Sequence, residues 1–281
     1  MELLYLAIGA AIQAGEAVLK VYDTDFSVEH KSDSSPLTLA DRESHRILEK
    51  SLKTAGIPIL SEEGRHLPYE ERKAWKTFWL LDPLDGTKEF VKRNGEFTVN
   101  IALVTDGKPV MGVISVPVVD ALYFGTIESG AYKMTTAAAR LSSPCLNAAT
   151  TSPQMPEQLS SAERLPSSLY SPERFTVVGS RSHSTPEVAN IVEELKKKHG
   201  EVELISAGSS LKICMVAEGR AQLYPRTGPT MEWDTAAGQA IAEAAGAEML
   251  VFDTGAPMRY NKENLLNPWF IVKSGQIDPD E

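Results

Sequence analysis

The stretch Trp79-Leu80-Leu81-Asp82-Pro83-Leu84-Asp85-Gly86-Thr87-Lys88 places two aspartates three positions apart at the end of an apolar run. Carboxylates held that close repel unless cations lie between them. Further acidic positions stand at predicted element ends: Glu62-Glu63 after the apolar run Ile57–Leu60, and Asp234 in Trp233-Asp234-Thr235. Carboxylates at the ends of neighbouring elements can converge on one point. All-oxygen ligation favours Mg²⁺, Mn²⁺ or Ca²⁺ over zinc. Backbone N–H groups around Gly86 and Thr87 could add an anion nest. Carboxylates, hard cations and an anion nest together make a phosphoryl-transfer site.

Each of these positions also has a plainer reading. Asp85-Gly86 after Pro83 makes a common turn. Asp41 stands three residues after Thr38, the spacing of a helix capping box. Asp234 suits a helix N-cap or first turn. Ser209 could cap a helix, Lys212 and Arg226 could be ordinary surface charge, and His183 could be a loop residue.

The elements that must position these groups follow from periodicity. Apolar residues recurring from Leu3 to Val21 predict a helix, and a second helix is expected from near Thr38 to before Gly56. Ile57–Leu60 and Phe78–Leu81 read as buried strands. Phe97–Val104, Val110–Val119 and Ala121–Thr126, separated by turn signals, predict an antiparallel meander. Residues from about Thr135 to Arg174 are rich in Ala, Ser, Pro and Thr and read as irregular connection. Beyond them strands at Phe175–Val178, Val202–Ile205, Ala221–Tyr224, Glu248–Phe252 and Trp269–Val272 alternate with helices at Pro186–Lys198, Ser209–Glu218 and Trp233–Ala245. The expected organisation is an α+β metal-binding domain over residues 1–135 and an α/β domain over 136–281 that completes the site.

Composition bounds the function. The chain has 281 residues, with 42% hydrophobic and 23% charged residues, values ordinary for a globular protein. A formal net charge of -10 argues against an extended nucleic acid partner. Cys145 and Cys214 are far apart and carry no zinc or disulfide pattern, which suggests a reducing cytoplasm. Gln13 and Glu16 interrupt the N-terminal apolar stretch, so neither a signal peptide nor a membrane span is expected. Peripheral association with an inner membrane and the oligomeric state are left open. No Walker A loop or GxGxxG fingerprint is present where one would be expected.

Three segments together resemble a known family. Asp82-Pro83-Leu84-Asp85-Gly86-Thr87 is similar to the first signature of the inositol monophosphatase superfamily, Trp233–Ile241 (WDTAAGQAI) to the second, and Leu60–Gly64 (LSEEG) to its Glu-bearing segment. The longer run DPLDGTKEFVKRNGEFTVNIAL resembles the CysQ-type 3'(2'),5'-bisphosphate nucleotidase branch, since inositol monophosphatases usually carry Thr-Asn-Phe where this chain has Lys88-Glu89-Phe90. The resemblance implies a layered αβαβα sandwich and a Mg²⁺-dependent phosphatase with two or three ions per site. Glu62, Asp82 and the Leu84 carbonyl would hold the first ion, and Asp82, Asp85 and Asp234 the second. The choice of Glu62 over Glu63 rests on the resemblance alone.

Asp41 would pair with Thr87 to orient and deprotonate the attacking water. Substrate would contact Glu62, Leu84, Asp85, Gly86, Thr87 and Asp234. At the nucleotide end it would meet His183, Ser209, Lys212 and Arg226, the last three holding a retained phosphate. The implied substrate is a small nucleotide bisphosphate, 3'-phosphoadenosine 5'-phosphate, with the corresponding phosphosulfate as a second one, in sulfur metabolism; lithium sensitivity is a further family trait. An inositol or broader sugar phosphatase is the nearest alternative, and a non-catalytic nucleotide or metal sensor a third. The Asp-x-x-Asp spacing fits an aspartyl-nucleophile mechanism poorly.

Overall fold

The structure, a computed structural model, describes residues 1–30, 36–141, 161–170, 173–180 and 185–275. In the first part of the chain, α1 (Glu2–Tyr22), β1 (Val28–His30), β2 (Pro36–Thr38) and α2 (Leu39–Leu52) precede β3 (Ile59–Ser61), α3 (Tyr69–Arg72), β4 (Thr77–Asp85) and α4 (Thr87–Val91). The strands β5 (Thr98–Thr105), β6 (Lys108–Val116), β7 (Ala121–Thr126) and β8 (Gly130–Thr135) follow, then α5 (Thr136–Leu141) and β9 (Glu163–Leu165). The remainder is β10 (Phe175–Ser180), α6 (Pro186–His199), β11 (Val202–Ala207), α7 (Leu211–Glu218), β12 (Leu223–Arg226), α8 (Glu232–Ala244), β13 (Glu248–Val251) and β14 (Phe270–Lys273).

Strand parity builds the layers. On β4, Trp79 and Leu81 join a core cluster with α1 and α2, whereas Phe78 and Leu80 join another that contains α7 and α8. The seven-stranded sheet β3-β4-β5-β6-β7-β8-β9 is therefore buried on both faces, which is why β4 reads as an unbroken apolar run. The helices α7 and α8 also cover the inner face of the second sheet, ordered β11-β10-β12-β14-β13, through Val178, Tyr224, Met249, Phe270 and Val272. The outer face of that sheet packs on α6 through Val177, Val192 and Leu223. Helix, sheet, helix, sheet and helix stack as the expected five layers.

The middle layer is thin because its residues are small. Ala236, Ala237, Ala240 and Ala242 of α8 are buried, and a Cβ on Gly112 of β6 would stand 2.2 Å from the Ala237 carbonyl oxygen. The first turn of α8, which carries Asp234, is thus held close to the first sheet.

One sequence expectation changes, and two others gain detail. The connection read as irregular from Thr135 contains α5 and β9, and β9 pairs antiparallel with β8. The first sheet therefore draws on chain beyond the predicted boundary at residue 135, because three residues add one edge strand without a periodic signal. The second sheet is mixed: β10 pairs parallel with β11 and β12, but β14 is antiparallel to β12 and β13. Helix α1 is also long and apolar enough by length and composition to cross a membrane. Its apolar stripe instead packs in the core, with Leu4, Ala7, Ile8, Ala11, Ala14 and Val18 all buried.

Candidate active site

The acidic residues are gathered by one register and one turn. Strand β3 runs parallel to β4 with Ser61 opposite Leu81, so Glu62 emerges beside Asp82. The Glu62 amide donates to the Leu81 carbonyl at 3.1 Å and extends the ladder by a residue. Asp82 continues the parity of Phe78 and Leu80, toward the middle layer. The pairing of β4 with β5 then shifts between Asp82 and Asp85, an irregularity that brings both aspartates to the strand end. The Leu84 amide donates to Asp82 Oδ1 at 3.0 Å. Gly86 adopts φ 89°, the left-handed region; a Cβ there would lie 2.0 Å from Ser209 Oγ, so glycine is required on both counts.

The carboxylates oppose one another. Burial raises the Asp82 pKa well above the ordinary carboxylate range, and the charges of Glu62, Asp85 and Asp234 raise it further. Asp234 is shifted the same way by burial and then by Asp85, against the hydrogen bond from the Met231 amide. That bond, 2.9 Å to Asp234 Oδ2, makes Asp234 a first-turn acid as well as a member of the cluster.

Asp41 divides its oxygens. Oδ2 accepts from the Thr38 amide at 2.7 Å and from Thr38 Oγ1 at 2.6 Å, completing the capping box of α2. Oδ1 lies 3.1 Å from Thr87 Oγ1, which also stands 3.2 Å from the Leu84 carbonyl. The plain reading and the chemical one are both present, on different atoms. Asp41 is 1% exposed, and burial raises its pKa, with the Thr38 bonds pulling the other way.

The second sheet supplies the cationic side. Lys212 is buried, and its Nζ donates to the Ser209 carbonyl at 2.6 Å and the Ala207 carbonyl at 3.3 Å. The ammonium lies 5.5 Å from the Tyr224 ring centroid. Burial pulls the Lys212 pKa down to about 8, opposed by the charge of Asp85. Arg226 Nη2 donates to the Pro229 carbonyl at 3.1 Å, while its Nε is buried with no partner among the described residues.

Ser209 departs from expectation. Helix α7 begins two residues later, and the Ser209 hydroxyl reaches the main-chain oxygens of Asp85 at 2.9 Å and Glu96 at 2.8 Å. It joins the two halves of the molecule, although it also lines the cavity between them. His183 lies outside the described residues, as does Cys145; Cys214 is buried.

Asp85, Gly86, Ser209 and Asp234 line one cavity of about 130 Å³ together with Lys212 and Arg226, whereas Asp41, Glu62, Asp82, Leu84 and Thr87 stand outside its lining. A 250 Å³ cavity with apolar walls shares Ser180 and Arg226 with it. A larger groove, 810 Å³, lies beside α6 and is lined by none of the predicted site residues. The acidic and cationic groups lie together at the smaller cavity.

A family profile described as the inositol monophosphatase family matches residues 1–276. The chain belongs to this family. It is 43% identical over 267 residues to a 3'(2'),5'-bisphosphate nucleotidase CysQ of Escherichia coli K12, covering 93% of this chain and 96% of that one. Identity to the CysQ of Haemophilus influenzae is 33% over 272 residues, covering 95% and 90%. Among solved structures, CysQ from Bacteroides thetaiotaomicron, a bacterial member of the inositol monophosphatase family, superposes with a TM-score of 0.82 at 48% identity, covering 97% of each chain. An inositol monophosphatase from Thermotoga maritima shares the fold, with a TM-score of 0.70 at 22% identity over 98% and 93%.

The residues fit the divalent cations typical of this family. Asp82 is buried and Asp234 half-buried, the charges around both carboxyls are chiefly negative, the donor set is all oxygen, and the strain is repulsive. The arrangement is not a finished cage: among the described residues no three His, Cys, Asp or Glu side chains stand at metal-holding spacing.

Several residues at the site went unread in the sequence. Ser210 and Asn100 hold Asp85, and Ser44 Oγ donates to the Pro83 carbonyl at 2.6 Å. Glu232, fully buried, accepts from the amides of Asn261 and Lys262 and anchors that loop to α8. The doubled serine and the acid two residues before Asp234 were visible signals. Their partners lie far along the chain and were not.

Proposed function

We propose that this chain is a Mg²⁺-dependent 3'(2'),5'-bisphosphate nucleotidase that hydrolyses 3'-phosphoadenosine 5'-phosphate to AMP and phosphate. The corresponding phosphosulfate would be a second substrate, and the setting sulfur metabolism. The observation that carries this reading is the cavity whose acidic wall faces Lys212 and Arg226. A substrate with one phosphate needs only the first wall. A bisphosphate uses both, and the unpartnered Arg226 Nε is a donor suited to the retained phosphate. The adjoining 250 Å³ apolar cavity offers a place for a nucleoside base.

Glu62, Asp82, the Leu84 carbonyl, Asp85 and Asp234 are the proposed cation ligands. Bound cations would polarise the phosphoryl oxygens, lower the pKa of water and stabilise the leaving oxygen. Asp41 and Thr87 orient the attacking water. With Thr87 Oγ1 donating to Asp41 Oδ1, the hydroxyl lone pairs remain to hold that water, and the pKa raised by burial makes Asp41 a better proton acceptor than an ordinary carboxylate. The bond from phosphorus to the 3'-oxygen breaks as the bond to the water oxygen forms, and the 3'-oxygen leaves with a proton from solvent. No phosphoenzyme is involved. Amide groups near Gly86 and Thr87 would bind the reacting phosphate.

The test is phosphate release by the purified protein from 3'-phosphoadenosine 5'-phosphate, inositol 1-phosphate and fructose 1,6-bisphosphate, with Mg²⁺ or with chelator. Preference for the nucleotide, abolished by chelator, is expected. Preference for inositol phosphate, or full turnover in chelator, would overturn the reading.

A further inference from the structure

The acidic wall is assembled from two parts of the fold. Asp85 ends β4 in the first sheet, and Asp234 lies in the first turn of α8. We propose that Ser210 is the positioning residue that sets these two against each other, an inference that rests on the function proposed above.

Ser210 occupies the N-cap position of α7, where a serine side chain ordinarily accepts from its own helix. Here it makes no side-chain cap bond. The residue is 3% exposed, and its polar atoms turn across the seam. The Ser210 amide donates to Asp85 Oδ2 at 2.7 Å, and Ser210 Oγ lies 2.7 Å from that same oxygen. Oγ is also 2.8 Å from the Asp234 main-chain oxygen.

The direction of the hydroxyl proton follows from the neighbours. Thr98 Oγ1 donates to Asn100 Oδ1 at 2.9 Å, which turns the Asn100 amide nitrogen toward Ser210, 2.9 Å from Oγ. Ser210 Oγ accepts there, so its own single proton goes to Asp85 Oδ2 or to the Asp234 carbonyl. The preceding Ser209 has φ 49°, a left-handed conformation that a side chain adopts only where its surroundings enforce it. Its bonds to the Asp85 and Glu96 carbonyls do so, and the turn aims the Ser210 amide at the carboxylate. With Oδ2 of Asp85 held by the Ser210 amide and in contact with Ser210 Oγ, the other oxygen is the one offered to a cation. Ser210 thus acts through Asp85 and Asp234 without touching substrate.

The experiment is Mn²⁺ binding to the metal-free protein, followed by electron paramagnetic resonance of the free ion, with thermal melts alongside. Removing a group that orients a metal ligand typically weakens metal affinity by roughly ten- to a hundredfold. Ser210→Ala is expected to raise the Mn²⁺ dissociation constant about tenfold and to raise the Mg²⁺ needed for half-maximal turnover in parallel. Ser210→Thr, which keeps the hydroxyl, should recover most of that loss. A Ser210→Ala protein with a lowered melting temperature but wild-type Mn²⁺ affinity would reduce Ser210 to a structural joint and overturn the proposal. If that variant does not fold, Asn100→Ala loosens the same hydroxyl from a different strand. A severalfold loss of Mn²⁺ affinity is then expected, and an unchanged affinity overturns the proposal. Wild-type protein that binds no Mn²⁺ would bring down the proposed function itself, an outcome distinct from a wild type that binds and a variant that binds equally.

Discussion

The two walls of the cavity handle charge in opposite ways. On the acidic side, Asp234 on the wall and Asp82 buried behind it are perturbed by burial and by neighbouring carboxylates, with little protein cation to answer them. On the cationic wall, Lys212 rests on two main-chain carbonyls and the Tyr224 ring, and Arg226 on the Pro229 carbonyl. The first wall carries unbalanced negative charge; the second is largely satisfied by the protein and keeps a few donors in reserve. In the proposed function, unbalanced repulsion calls for cations and supports catalysis, whereas partly satisfied cations act as a filter. Removing a group from the acidic wall should relieve the fold and abolish chemistry. Removing one from the cationic wall should change preference.

The sharpest break of that contrast is Asp82→Asn. Turnover is expected to fall about a hundredfold or more, since lost electrostatic support in a closed site costs several kcal/mol. The metal-free variant should melt at or above the wild-type temperature. Loss of folding with normal turnover in the folded remainder would place Asp82 among structural residues. The same repulsion gives a pH signature. Raised native pKa values mean that, above the ordinary carboxylate range, the native state holds protons that the unfolded chain has released. Stability of the metal-free protein should therefore decline as pH rises through that window, and Mg²⁺ or Asp82→Asn should flatten the slope. Chemical unfolding at several pH values measures this directly.

Asp41→Ala comes next. Loss of a positioned base lowers rates by roughly a hundredfold or more, and loss of a helix cap lowers stability by about 1 kcal/mol. Mn²⁺ affinity should stay near wild type, which separates this group from the cation ligands. An unchanged rate would leave Asp41 with its capping role only.

On the cationic wall, Arg226→Ala should raise KM for 3'-phosphoadenosine 5'-phosphate about tenfold, the worth of a charge-assisted contact. The effect on 3'-AMP should be much smaller; equal losses on both substrates would erase the distinction between the walls. The smallest effect is expected from pH. With the Lys212 pKa lowered to about 8, its charge is lost above that value. The ratio of kcat/KM for the bisphosphate to that for 3'-AMP should fall severalfold as pH rises through it. A ratio that stays flat would show that Lys212 serves only the fold.

Much of this architecture was legible in the chain. Apolar spacing placed α1, α2, α6 and α8 to within a few residues, and the turn signals Asp106-Gly107 and Asp120 marked the turns between the strands of the meander. Those features are local, because side-chain periodicity and turn chemistry act over a few residues. The paired aspartates, the glycine between strand and helix, and the need for cations followed from residue type. Other decisions belonged to the tertiary structure. The parallel register of β3 on β4 brings Glu62 to Asp82, and the thin alanine layer brings Asp234 to both. Asp41 could not be divided between cap and base until Thr87 stood beside its second oxygen. Nor could Ser209 be told from Ser210, since two adjacent serines have the same chemistry and only the left-handed turn between strand and helix sends one to the carbonyls and the other to the carboxylate. A sequence sets what each side chain can bond to; the choice among partners is made by long-range packing, which decides which of them arrive.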